Sequence, residues 1–68
     1  MDYRIPYGDI SYDTTKQIEG WLKSNVGKRA WDGKLNNRNS WDVLGSGYKT
    51  FIFCHEQDAI LFALRWLK

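Results

Sequence analysis

Thr50-Phe-Ile-Phe-Cys54 is followed, after the four polar residues His55-Glu-Gln-Asp58, by Ala59-Ile-Leu-Phe-Ala-Leu-Arg-Trp-Leu67. Few folds cover both segments at once. The first joins β-branched and aromatic residues without charge or Pro, so it reads as a strand flanked on both edges, because an exposed one would template aggregation. It is expected to be the central strand. The second reads as a helix in which Ala59, Phe62, Ala63 and Trp66 form one stripe while Ile60, Leu61, Leu64 and Leu67 fill most of the remaining circumference. A helix apolar nearly all round must be covered on more than one side.

The preceding residues read as the cover. Tyr3, Ile5 and Tyr7 alternate with Arg4 and Pro6, the period of a half-buried strand over Asp2 to Tyr7, and Pro6 lacks a ladder donor, which places the strand at a sheet edge. Thr14 with Gln17 forms a capping box for a helix from about Thr14 to Asn25, in which Ile18, Trp21, Leu22 and Val26 make one apolar stripe. Gly20 lies off that stripe, where only a close backbone approach would explain it. Gly27 is placed as the residue that ends the helix, and Lys23, Lys28 and Arg29 lie where positive charge suits its C-terminus. Arg29 to Ser40 has no periodicity and reads as loop. Trp41 to Leu44 reads as a second strand, Gly45-Ser-Gly47 as a tight connection, and Tyr48 to Cys54 as the third strand.

The order β-α-β-β-α predicts an α+β fold, a truncated ferredoxin-like arrangement in which a three-stranded mixed sheet of order 1-3-2 carries two helices on one face. A right-handed crossover is expected to set the first strand parallel to the third. With Phe51 and Phe53 facing the helices, Tyr48, Thr50, Ile52 and Arg4 form the open face, leaving Ile52 partly exposed.

The chain is short enough, at 68 residues, to be a single domain spanning 1–68, and a domain this small needs a dense core. Its 16 % aromatic residues supply one. The single Cys54 excludes an intramolecular disulfide framework, and no signal peptide is apparent, so a cytoplasmic protein is expected. The longest wholly apolar run, residues 59–64, is too short for a membrane span of about 20 residues.

No catalytic signature is evident, and the chain reads as a non-enzyme without cofactor or metal. Cys54 and His55 are adjacent, so in a strand they point to opposite faces and cannot chelate one ion. Glu56 and Asp58 stand where carboxylates complement a helix N-terminus. Gly45-Ser-Gly47 opens a strand and lacks the following Lys-Ser/Thr of a phosphate loop.

Charge is unevenly distributed. Residues 23–38 carry Lys23, Lys28, Arg29, Lys34 and Arg38 against Asp32 alone, whereas residues 1–22 are net acidic and 39–68 balance. Cations interleaved with Trp31 and Trp41 suit phosphates and unstacked bases, or an acidic protein surface, and also serve solubility alone.

Two resemblances bear on function. Gly47-Tyr48-Lys-Thr-Phe51-Ile-Phe53 followed by Glu56-Gln-Asp58-Ala59 resembles the third strand and second helix of RNA-recognition domains of the RRM family. That resemblance implies that Tyr48 stacks a base. The second stacking position is Thr50, the basic residue that opens the family motif is Ser46, and the fourth strand is missing. The pattern Phe51-x-Phe53-x4-Asp58-Ala59-x2-Phe62-x-Leu64-x-Trp66 is similar to the C-terminal part of small accessory proteins encoded by tailed phages. It implies a protein in the host cytoplasm that binds and redirects or inhibits a host or defence factor.

The residues themselves point first to a protein-binding module, with Leu61, Leu64 and Leu67 as apolar anchors and Arg29, Lys34 and Arg38 steering the encounter; a homodimer would use the same surface. The alternative is a single-stranded nucleic-acid binder using Tyr48, Trp31, Arg29, Lys34 and Arg38.

Overall fold

The computed structural model describes residues 2–67, in the order β1 (Tyr3–Asp9), α1 (Tyr12–Asn25), β2 (Lys28–Arg29), β3 (Asn39–Leu44), β4 (Tyr48–Phe53) and α2 (Glu56–Trp66). It is an α+β structure with a four-stranded sheet of order β1-β4-β3-β2. β4 is interior, as its apolar run requires, and Pro6 lies on the edge strand β1.

The sheet departs from expectation in two ways. β1 pairs antiparallel with β4, Tyr3 opposite Phe53 and Ile5 opposite Phe51, and β3 pairs antiparallel with β4 from the other side, Trp41 opposite Phe53 and Val43 opposite Phe51. Two antiparallel steps leave β1 and β3 pointing the same way. The crossover through α1 thus aligns β1 with β3, and the hairpin inserts β4 between them in the reverse direction. A parallel pairing of β1 with the Tyr48–Phe53 strand is therefore incorrect, because the hairpin partner of β3 runs against both. The second departure is β2, two residues that straddle the start of the segment expected to be loop, paired parallel to β3 with Lys28 opposite Asn39 and Arg29 opposite Trp41. It adds a fourth strand to the expected three and is the parallel member of the sheet. Two residues carry no readable period.

α1 begins one turn early. Ser11 is its N-cap, with Oγ accepting from the Thr14 amide at 3.1 Å, so the capping box expected at Thr14 and Gln17 is displaced into the helix. Thr14 instead accepts from the Ser11 hydroxyl at 3.0 Å. The stripe behaves as read, Ile18 and Leu22 being buried and Trp21 and Val26 half-buried. Gly27 follows the cap residue Val26 with φ +147° and donates its amide to Leu22 O at 3.0 Å, a conformation that closes the helix and favours glycine. The close backbone approach expected at Gly20 is absent, since nothing lies within 4 Å of where a Cβ would stand.

Both helices cover one face of the sheet. Ile18 and Leu22 of α1, Ala59 and Phe62 of α2, Trp41 of β3 and Phe51 and Phe53 of β4 form the core. Phe62 is its hub, with ring centroids 4.8 Å from Phe51, 5.3 Å from Phe53, 6.1 Å from Tyr7 and 6.5 Å from Trp21. Such pairs contribute about 0.5–1.5 kcal/mol each beyond burial. α2 lies over β1 and β4, whereas α1 reaches β2 at the opposite edge.

Ile52, on the face away from the helices, is buried rather than partly exposed. Its register partner Asp42 is buried too, and accepts a hydrogen bond from the Gly33 amide at 2.9 Å, which draws the 30–38 loop against β3. The face opposite the helices is therefore not open along its whole length.

Candidate functional site

Two surfaces carry the residues that the sequence singles out, and they lie at opposite edges of the sheet. The first is the outer side of α2. Phe62 and Ala59 turn inward, and at about 100° per residue this leaves Ile60, Leu61 and Leu64 outward, with Leu67 just past the helix end. Leu64 is 68 % exposed and Ile60 53 %, with Leu61 and Leu67 also exposed. Four aliphatic side chains thus share one solvent-facing ridge. Asp58 and Arg65 stand two turns apart on one flank of it, each at the helix end where its charge complements the macrodipole.

The second surface is built around β2. Arg29 Nε donates to Asp42 Oδ1 at 2.6 Å, and its terminal nitrogens approach Glu19 Oε2 and Val43 O at 3.4 Å. Asp42 accepts further from the amides of Gly33 and Val43, so its buried charge has several donors. The guanidinium, fixed in this way, lies 3.9 Å from the Trp31 ring centroid. Trp31 takes φ +69°, costly for a bulky side chain by about 1–3 kcal/mol, and is 72 % exposed. Hydrogen bonds on either side, Ala30 N to Trp41 O at 2.8 Å and Gly33 N to Asp42, hold the backbone in that conformation. A groove of about 630 Å³ opens beside this pair, walled by Lys23, Lys28, Arg29, Trp31 and Asn39. No carboxylate lines it.

The expected site residues divide between these places. Leu61, Leu64 and Leu67 stand together on the α2 ridge, joined by Ile60. Trp31 and Arg29 meet in a stack at the β2 edge, but Arg29 is withdrawn into ion pairs with Asp42 and Glu19 and is not a free surface cation. Lys34 and Arg38 are exposed on the 30–38 loop, whose turns are set by Asp32 accepting from the Lys34 amide at 3.0 Å and Asn36 accepting from the Arg38 amide at 2.9 Å. Tyr48 is exposed at the start of β4, opposite Asp9 of β1, two strands away from β2. The structure does not join it to Trp31. Lys23, Lys28 and Asn39 were not singled out as site residues from the sequence. The two lysines belong to the basic segment but read as helix-end charges, and nothing local marks Asn39.

Among the described residues no three His, Cys, Asp or Glu side chains gather as a metal site, and no helix is long and apolar enough to cross a membrane. Glu56 and Asp58 lie in the first turn of α2, and His55 is its N-cap without a side-chain cap hydrogen bond. Compared with protein-family models, with curated proteins and with solved structures, the chain matches none.

Proposed function

We propose that this chain is a non-enzymatic binding protein that docks onto a partner protein through the outer side of α2. The observation that carries this reading is the clustering of Ile60, Leu61, Leu64 and Leu67 on one exposed ridge of a small domain. Contiguous apolar surface of this kind marks interaction sites. The ridge is complementary to an apolar helix or cleft carrying a cation opposite Asp58 and a carboxylate opposite Arg65. Lys34 and Arg38, on the loop at the opposite edge of the sheet, stand outside this contact. The resemblance of residues 51–66 to phage accessory proteins supports a host or defence protein as that partner.

Leu64→Asp tests the reading. Leu64 is exposed, so the variant keeps its circular dichroism and loses only about 1 kcal/mol, the cost of an aspartate in the last turn of a helix. A host protein retained by the wild type, lost with Leu64→Asp, and binding the purified chain in recombinant form supports the docking surface. Captured proteins unchanged by Leu64→Asp remove it. Sedimentation of the purified chain identifies a second copy as the partner if a dimer forms that Leu64→Asp dissociates.

A further inference from the structure

The β2 edge holds a second constellation, independent of the α2 ridge. Most exposed tryptophans turn freely, yet Trp31 is fixed by the Arg29 guanidinium 3.9 Å beneath its ring, and Arg29 is in turn held by Asp42, Glu19 and Val43 O. With Arg29 on one face and 72 % of the residue exposed, the other face of the indole is open to solvent. A rigid, open aromatic plate meets the main requirement for stacking a planar ligand, because no side-chain ordering remains to be done on binding.

The groove beside the plate adds cations to it. Lys23 and Lys28 line it and make no ion pair among the described residues, and no carboxylate competes for them. Lys23 stands in the last turn of α1 and Lys28 in β2 just past its end, and both ammonium groups are available to an anion. Asn39, on the same wall, carries an amide that both donates and accepts. At about 630 Å³ the groove lies in the range of small-molecule sites.

We propose that this groove binds a nucleotide unit, its base stacked on the open face of Trp31, its phosphate held by Lys23 and Lys28, and a base edge within reach of Asn39. An aromatic ring joined to an anion is the chemistry that uses both halves of the site. Two sources supply it, a free mononucleotide and a single-stranded nucleic acid.

The two are separated by titrating a labelled single strand of about ten nucleotides into the intact protein and competing with AMP or inorganic phosphate, between about 50 and 200 mM salt. Trp31→Ala should weaken the strand about ten- to a hundredfold while circular dichroism stays native. Lys23→Gln combined with Lys28→Gln should lower the log–log salt slope by about 1.4, the contribution of two phosphate contacts on a single strand. AMP binding comparable to that of the strand, and equally weakened by Trp31→Ala, assigns the site to free nucleotides. Strand binding that AMP does not displace assigns it to the polymer. Leu64→Asp leaves either result unchanged, because α2 lies over the other edge of the sheet. Binding insensitive to Trp31→Ala, displacement by inorganic phosphate as effective as by AMP, or no binding at ligand concentrations on the order of 1 mM overturns the proposal.

Discussion

Arg29 and Asp42 meet at 2.6 Å across the β2–β3 edge, and through these two side chains a two-residue strand, the 30–38 loop and the middle of α1 are tied together. Asp42 is 1 % exposed, so its charge has exchanged water for the Arg29 guanidinium and two backbone amides. An ion pair of this kind adds little over a well-packed apolar pair, but removing one partner strands the other.

Asp42→Ala is accordingly expected to destabilise the fold by about 3 kcal/mol, a large share of the stability of a domain this size. Urea unfolding followed by tryptophan fluorescence measures it. A loss below about 1 kcal/mol would mean that the pair does not hold the edge together.

The start of α1 gives a second test. Ser11 Oγ accepts from the Thr14 amide, so Ser11→Ala should cost about 1 kcal/mol, lowering Tm by roughly 4–8 °C. Gln17→Ala, which would break a capping box begun at Thr14, should leave Tm nearly unchanged. The reverse ranking in a thermal melt would place the cap at Thr14 after all.

Two glycines should respond to the same substitution with opposite signs. Gly20 is helical and exposed with open space around it, so Gly20→Ala should stabilise by about 0.5–1 kcal/mol. Gly45 has φ +99°, and a Cβ there would run into the Tyr48 carbonyl oxygen, so Gly45→Ala must displace the β3–β4 hairpin and lose about 1–3 kcal/mol. Differential scanning calorimetry of the two variants against the wild type reads both.

Phe62→Ala should lose about 3–5 kcal/mol, since it empties the position on which Tyr7, Trp21, Phe51 and Phe53 converge. Leu64→Asp, two residues on, should lose only about 1 kcal/mol. Equilibrium unfolding of the pair distinguishes the inner from the outer side of α2, and comparable losses would mean that the ridge is covered within the chain itself.

The residues legible from sequence are those whose role repeats along the chain. The apolar run Phe51-Ile-Phe53 marked an interior strand, Ile18 with Leu22 marked the buried side of α1, and Pro6 marked an edge, because each pattern follows from the local period of a strand or helix. The excess of apolar groups between Ala59 and Leu67 likewise requires an exposed side on α2, since one helix cannot turn every face inward. Only the tertiary structure decided the direction of β4 relative to β1, the existence of β2, and the clasp of Arg29 on Asp42 beneath Trp31. A two-residue strand has no period, a hairpin's direction depends on the strand it follows, and a carboxylate and a guanidinium thirteen residues apart meet only when loop closure and sheet register bring them together.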